Sequence, residues 1–229
     1  KARTQLLLDN PFFGNIAMRL DLVETDQFDT MATDGKSIMF NPAFVNAHSN
    51  AHLKGVVAHE VCHVIFKHHL RRGQRDQNNW NVAADYAINS LLVDAGFSLP
   101  EDGLIDLAWR GQSAEDIYGS LFKDQPEPPA AGQQGDGESP KGGDAGDAQG
   151  DAQGNAQPVD MQGHGVVIDG TNDDGSALSA ADVQEQDDQW TEVVLSAAMI
   201  SGEAGKEDSP FKQHIDILRR PQVDWRSVL

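Results

Sequence analysis

The sequence has little cysteine, little positive charge and no long apolar run. Cys62 is the single cysteine, which excludes an intramolecular disulfide and favours a reducing compartment such as the cytoplasm. No apolar run approaches the roughly 18 residues of a membrane span. The opening stretch "KARTQLLLDNPFFG" has too short an apolar segment for a signal peptide. We therefore expect a cytoplasmic protein without a membrane segment.

The chain is strongly acidic. Lys and Arg total 17 against 36 Asp and Glu, which gives a formal net charge of −19 at pH 7. Proteins that bind nucleic acid or anionic membranes non-specifically need a basic surface to offset phosphate charge. The composition therefore argues against both classes of partner.

Much of the acidic charge lies in one segment. Eleven acidic residues and one basic residue, Lys141, lie between positions 124 and 174. The core of this segment, "GDAGDAQGDAQGNAQ", has no large apolar residue whose burial would offset the entropy of ordering it. A calcium-binding repeat is the alternative, but it needs a recurring apolar residue. We predict a folded core at 1–123, a flexible acidic insert at 124–178, and a C-terminal helical part of the same domain at 179–229.

The rest of the sequence predicts a mostly helical α+β domain with a small β-hairpin. Asp34-Gly35 between two short stretches is a strong hairpin signal. Ser49 is a candidate N-cap for a helix that runs to about Leu70. Apolar spacing and capping residues predict further helices in "PFFGNIAMRL", "QNNWNVAADYAINSLLVDAG", "SAEDIYGSLF" and the stretch that begins "SAADVQEQ".

The helix predicted after Ser49 contains "VVAHEVCHVIFKHH", with the spacing His59-Glu60-x-x-His63. Histidines four residues apart on a helix project side by side and can share one ion. Zinc accepts neutral imidazole at roughly 2.0–2.1 Å, and hydrolytic sites leave one position open for water. Glu60 can take a proton from that water and pass it to a leaving amine. Three polar residues on an ordinary helix are the other interpretation, but the flanking residues are apolar.

Two sets of residues are candidates for the third metal ligand. His68 and His69 follow His63 closely, and His69 has the spacing used by metzincins. Metzincins have a glycine between the second and third ligands that turns the chain back to the metal. Phe66 stands at that position here, and polar residues at a helix end are the simpler interpretation of both histidines.

Asp85 is the other candidate. "NWNVAADYAIN" spaces Asn81, Asp85 and Asn89 four apart, which predicts a polar stripe on an apolar helix. Burying that stripe costs several kcal/mol unless it is paired. A metal would offset this cost for Asp85, while Asn81 and Asn89 would orient the ligands. A solvated helix face remains the alternative.

One histidine in the predicted insert is also a candidate. His164 lies between two glycines in "GHGVV", just before an apolar pair. It could reach back to the site as an oxyanion donor.

Seven motifs in order carry a family resemblance: "NPFFG", "TDGKSIMFNP", "AHEVCHVIFKHHLR", "WNVAADYAIN", "LPEDGL", "SAEDIY" and "PQVDWRSVL". Together they resemble the bacterial metallopeptidase domain that precedes a von Willebrand factor A-like domain. The resemblance implies a zincin-like fold, zinc held by the His-Glu-x-x-His helix and an acidic residue of the next helix, and a C-terminal partner domain. Lys67 departs from the pattern, which tends to have glycine before the paired histidines. The chain lacks an initiator methionine and ends without a terminating signal, so we expect a longer protein.

The function predicted from these features is that of a zinc-dependent hydrolase, most simply a peptidase acting on a peptide or protein. His59, His63 and Asp85 would bind Zn²⁺, and Glu60 would activate water. A catalytically inactive, metal-stabilised scaffold and a metal-free protein-interaction module are the alternatives. An open metal position above Glu60 would distinguish the enzyme from the scaffold.

Overall fold

A computed structural model describes residues 1–100, 103–123, 165–206 and 209–220. These residues form a mostly helical domain with a small mixed sheet, which confirms the α+β prediction. The described helices are α1 Ala2–Asp9, α2 Pro11–Ala17, α3 Pro42–Ala47, α4 Asn50–Ile65, α5 His68–Arg71, α6 Gln77–Asp94, α7 Ala114–Phe122, α8 Ala180–Ile200 and α9 Lys212–Leu218. The described strands are β1 Asp21–Glu24, β2 Met31–Thr33, β3 Ser37–Phe40 and β4 Val166–Val167. No described helix is both long enough and apolar enough to cross a membrane.

The sheet has the order β1-β3-β2-β4. Strands β2 and β3 are antiparallel, as the hairpin prediction requires, whereas β1 pairs parallel to β3 and β4 parallel to β2. Asp34 Oδ1 accepts hydrogen bonds from the backbone N–H groups of Lys36 and Ser37 at 2.8 and 2.7 Å. Gly35 has φ +84°, a conformation that glycine adopts without steric cost. The turn chemistry therefore explains the hairpin.

Strand β4 lies within the segment that composition assigned to the insert. Val166-Val167 extends the sheet at β2, and the Asp169 carboxylate forms an ion pair with Arg72. Two adjacent β-branched residues favour a strand even beside a glycine-rich sequence. The described structure therefore resumes at residue 165, before the predicted boundary at 178, and the rest of the insert lies outside the described residues.

Helix α4 lies at the centre of the hydrophobic core, and most of its residues are buried. The core draws on residues from both sides of the insert. The Phe211 ring lies 5.9 Å from that of Phe12 and 5.2 Å from that of Phe13, measured between centroids. The large, fully buried apolar side chains of this core include Leu6, Ile16, Leu20, Ile38, Ile65, Trp80, Ile88, Leu92, Phe211, Ile117 and Ile215.

Capping residues set the starts of the two helices that carry the candidate site. The Ser49 side chain accepts a hydrogen bond from the backbone N–H of His52, which confirms the predicted start of α4. The Asp76 side chain accepts hydrogen bonds from the backbone N–H groups of Asn78 and Asn79 at the start of α6. Gly96, with φ +83°, follows the end of α6 as predicted.

Helix α4 ends earlier than the sequence predicts. It stops at Ile65 instead of continuing to about Leu70, because Lys67 adopts a left-handed conformation with φ 56° and ψ 36°. That conformation costs a non-glycine residue roughly 1–2 kcal/mol. Lys67 Nζ contacts Thr191 Oγ1 and Asp187 Oδ2 on α8, each at 2.6 Å. These contacts stabilise a turn that glycine would form without them.

Candidate metal centre

Three potential ligand atoms from α4 and α6 converge in the interior. His59 Nε2 lies 2.9 Å from His63 Nε2, and Asp85 Oδ1 lies 3.3 Å and 3.4 Å from these two nitrogens. All three side chains are buried. The spacing of four residues on α4 and the packing of α6 against it bring the three atoms to one point.

The arrangement fits a single metal ion. Ligand atoms at about 2.0–2.1 Å from a tetrahedral zinc ion lie roughly 3.3 Å from one another, close to the three distances observed. Among the described residues, the contacts of the buried Asp85 carboxylate are those of Oδ1 with the two histidine nitrogens, at distances long for hydrogen bonds. A buried carboxylate this weakly paired is costly, and two imidazole nitrogens at 2.9 Å need a shared proton or a cation between them. Two imidazoles and one carboxylate are ligands that zinc accepts.

The electrostatics favour a positive charge at the point where the three groups meet. Burial alone would lower the pKa of His59, but the Asp85 charge raises it to about 9. Burial alone would raise the pKa of Asp85, but His59 and His63 lower it to about 2. Desolvation lowers the pKa of His63 to about 4. Asp85 is therefore anionic and would stabilise a cation between the rings.

Glu60 lies beside this point and is fully buried, with neither carboxylate oxygen hydrogen-bonded to a described residue. Desolvation raises its pKa from 4.5 to about 8, although His59 opposes the shift. Gly165, just before β4, faces the carboxylate. A Cβ at Gly165 would lie 2.5 Å from Glu60 Oε1 and 2.5 Å from His59 Nε2. Any side chain at position 165 would therefore clash with both groups, so the backbone approaches them closely only because this residue is glycine.

Asn89 and Asn81 differ in what they contact. Asn89 Oδ1 lies 2.8 Å from His59 Nδ1, and Asn89 Nδ2 donates to the Leu104 carbonyl at 3.0 Å. The amide therefore accepts the Nδ1–H of His59, which leaves Nε2 free for a metal. Asn81 accepts a hydrogen bond from Gln77 Nε2, which also donates to the Val167 carbonyl of β4. Asn81 thus lies in a contact between α6 and the sheet.

The two histidines after the turn at Lys67 have different surroundings. His68 Nδ1 lies 3.0 Å from His63 Nδ1, so it contacts the side of His63 that faces away from Asp85. His69 is buried against Gly35 of the hairpin, and neither of its ring nitrogens has a described partner. Within the described ranges, Asp85 and not His69 joins His59 and His63 in a group of potential ligand atoms.

The space beside the three groups is small. A cavity of about 20 Å³ is lined in part by His59, Asp85, Asn89 and Gly165, which is room for about one water molecule. Leu99 and Pro100, from the loop after α6, also line it. A peptide therefore requires movement of this loop or of the chain around Gly165.

Two features of the site were not assigned by the sequence. Gly165 gave no signal beyond its place before an apolar pair, because its contact with Glu60 depends on the pairing of β4 with β2. The contact of His68 with His63 depends on the left-handed turn at Lys67. A lysine does not predict such a turn, so nothing in the sequence indicated it. His164, the candidate oxyanion donor, lies outside the described residues.

Comparison with known proteins gives one family. No curated protein and no solved structure matches the chain. A family model described as "putative metallopeptidase domain" matches residues 1–229. Because the match covers the whole sequence, the chain belongs to this metallopeptidase-domain family.

Proposed function

We propose that this protein is a zinc-dependent peptidase. The observation that carries the proposal is the convergence of His59 Nε2, His63 Nε2 and Asp85 Oδ1 within 3.4 Å of one another. The Glu60 carboxylate lies beside them without a hydrogen-bond partner among the described residues. The membership of a metallopeptidase-domain family supports the same reaction class.

Each residue has a role that follows from its position. His59 and His63 would hold the ion through Nε2, and Asp85 would supply an oxygen and a compensating negative charge. Bound zinc would supply a Lewis acid that polarises a peptide carbonyl and increases the acidity of water. Asn89 holds the His59 ring by accepting its Nδ1–H, as judged from the 2.8 Å separation.

Glu60 is assigned to proton transfer. Its buried oxygens have no described partner that would compete for a proton, and Oε1 lies on the same side of Gly165 as His59 Nε2, since a Cβ there would touch both atoms. Glu60 would take a proton from the attacking water and deliver it to the amine nitrogen as the peptide bond breaks.

Substrate, partner and location belong to the proposal as well. The substrate is a peptide or protein, in keeping with the family description. A von Willebrand factor A-like partner domain follows from the resemblance of the sequence motifs, and a cytoplasmic location from the single buried thiol of Cys62.

A metal-stabilised scaffold without turnover is the second candidate function. The cavity of about 20 Å³ favours it, because this space admits about one water molecule and no peptide. The two candidates share the metal and differ in whether the site opens to substrate.

The test combines metal analysis with a hydrolysis assay. The purified wild-type protein is expected to carry about one zinc per chain, and His59→Ala or His63→Ala should remove it. Glu60→Gln should keep the zinc and lose hydrolysis of a mixed peptide library, because the amide cannot accept the proton.

The outcomes separate the candidates. Stoichiometric zinc in both histidine variants would refute the metal centre. Loss of zinc in Glu60→Gln would mean that Glu60 is a ligand and not a base. Zinc in the wild-type protein, with no cleavage of any library peptide, would support the scaffold.

A further inference from the structure

The imidazole rings of His63 and His68 face each other through their Nδ1 atoms. The two nitrogens lie 3.0 Å apart and both rings are buried. Two ring nitrogens at this distance share one proton, with one acting as donor and the other as acceptor. The proton can sit on either ring, but only one arrangement is compatible with a metal at the candidate site.

Metal binding decides which ring donates. His63 Nε2 points toward His59 and Asp85, and it must be unprotonated to bind a cation. The neutral ring then carries its proton on Nδ1 and donates it to His68 Nδ1. His68 must in turn keep its own proton on Nε2.

The backbone around His68 holds the ring in this orientation. On an unbroken helix, a residue five positions after His63 would project well away from it. The left-handed turn at Lys67 returns the chain, and Trp80 Nε1 donates to the His68 carbonyl at 3.1 Å. The Phe66 ring stacks on His68 with an interplanar angle of 18°. His68 therefore has contacts on several sides that restrict its rotation.

The same type of contact supports the other candidate histidine ligand. His59 Nδ1 faces Asn89 Oδ1, and His63 Nδ1 faces His68 Nδ1. Both acceptors are neutral, whereas the usual partners of metal-binding histidines include carboxylates. Among the three proposed ligands, the Asp85 carboxylate would thus supply the negative charge that balances an ion.

We propose that His68 is a positioning residue that accepts the Nδ1–H of His63 and so fixes His63 as a metal ligand. The inference rests on the proposed function only in requiring that His63 binds a cation. It assigns His68 a role different from the direct ligation that its place in the sequence suggested.

Three substitutions at position 68 separate acceptor geometry from packing. His68→Asn keeps an acceptor oxygen at the same number of bonds from Cα as Nδ1, whereas His68→Gln moves the acceptor one bond further out. His68→Phe keeps a ring and removes the acceptor. Zinc affinity of each full-length variant would be measured by chelator competition, and thermal unfolding of the metal-free proteins would report on packing.

Zinc affinity should fall by about 10–100-fold in His68→Phe and His68→Gln, in the range typical of losing a hydrogen-bond partner of a metal ligand. His68→Asn should stay close to the wild type. Equal affinities for the Asn and Gln variants, or an Asn variant as weak as Phe, would overturn the assignment. If His68→Phe does not fold, the Asn and Gln pair still decides the result.

Failure of this inference is distinguishable from failure of the proposed function. A wild-type protein that binds no metal would overturn both. A wild-type protein that binds zinc, loses it in His63→Ala and keeps full affinity in His68→Gln would overturn the role of His68 alone.

Discussion

Asp85 Oδ1 lies 3.3 Å from His59 Nε2, although the two residues belong to different helices. An ion bound there would join α4 to α6. Metal affinity and fold stability are therefore coupled at this position, since an ion that binds only the folded chain stabilises it.

The first prediction concerns the third ligand. Asp85→Ala should weaken zinc binding by more than the roughly 10–100-fold typical of losing a supporting hydrogen bond, because it removes a donor atom and its charge. Asp85→Asn should weaken binding less, since the neutral amide is a poorer ligand that stays in position. His69→Ala should bind zinc like the wild type. Chelator competition on the three variants measures the order.

His69→Ala is the control for Asp85→Ala, because both substitutions remove a buried side chain. A weaker His69→Ala beside an unaffected Asp85→Ala would reverse the assignment and favour metzincin-like spacing. Zinc loading should also raise the melting temperature of the wild type and not that of Asp85→Ala.

The second prediction concerns the left-handed turn. Lys67→Gly and Lys67→Ala both remove the contacts of Lys67 Nζ with Asp187 and Thr191. Glycine adopts φ 56° without the steric cost that alanine incurs, so the Gly variant should be more stable by roughly 1–2 kcal/mol. Urea unfolding of the two proteins measures the difference.

Position 119 provides the reference for this comparison. Gly119 lies within α7, and a Cβ added there would meet nothing beyond the neighbouring helix backbone. Gly119→Ala should therefore be neutral or stabilising by up to about 1 kcal/mol. Alanine more stable than glycine at both positions would mean that residue 67 is right-handed in solution.

Local signals explain the parts of the fold that were predictable. The Ser49 cap, the Asp34-Gly35 turn and the His59-Glu60-x-x-His63 spacing each act within a few residues, so a single sequence reveals them. The convergence of Asp85 with the histidines was predictable as one alternative, because a buried carboxylate needs a partner. The fold class followed from the length and spacing of the apolar segments.

Long-range contacts explain the parts that were not predictable. The turn at Lys67 is held by Asp187, which is distant in sequence. Strand β4 has two residues, and it forms because β2 offers an edge. The position of Gly165 against Glu60 follows from that pairing. No local pattern encodes any of these three contacts.

The third prediction concerns Gly165. Its substitution by alanine would bring Cβ to 2.5 Å from Glu60 Oε1 and His59 Nε2, so one of these groups must move. Because catalysis depends on alignment, hydrolysis should fall by about tenfold to hundredfold, and zinc should bind more weakly. Peptide cleavage and chelator competition, with Gly119→Ala as the matched control, measure both effects. Wild-type values in both assays would mean that the chain around Gly165 moves aside freely.

The fourth prediction concerns His214 and acid pH. His214 Nε2 lies 2.9 Å from the carbonyl of Ile65, the last residue of α4. Burial lowers the pKa of His214 to about 4, although this hydrogen bond opposes the shift. Between pH 6.5 and about 4 the unfolded chain binds the proton more readily than the folded one, so this residue makes the free energy of unfolding fall as pH decreases.

The measurement is urea unfolding of the metal-free wild type and His214→Gln at pH 7 and pH 5. The wild type should lose about 1–2 kcal/mol more than the variant between these values. Equal losses would mean that His214 titrates at its ordinary pKa in the folded protein. Removing the metal beforehand keeps protonation of zinc-bound histidines from contributing to the difference.

The packing of Phe211 against Phe12 and Phe13 bears on how this chain tolerates changes in length. The insert joins two parts of the chain that together form one core. The covalent connection therefore affects the free energy of unfolding mainly through the entropy of closing a loop. For a flexible segment of the kind that the composition predicts, doubling the length raises that cost by only about 0.6 kcal/mol. Lengthening or shortening the part of the insert at 124–164 should therefore be nearly neutral for stability. After cleavage within it, the two fragments should stay associated through the ion pair of Lys67 with Asp187 and the pairing of β2 with β4.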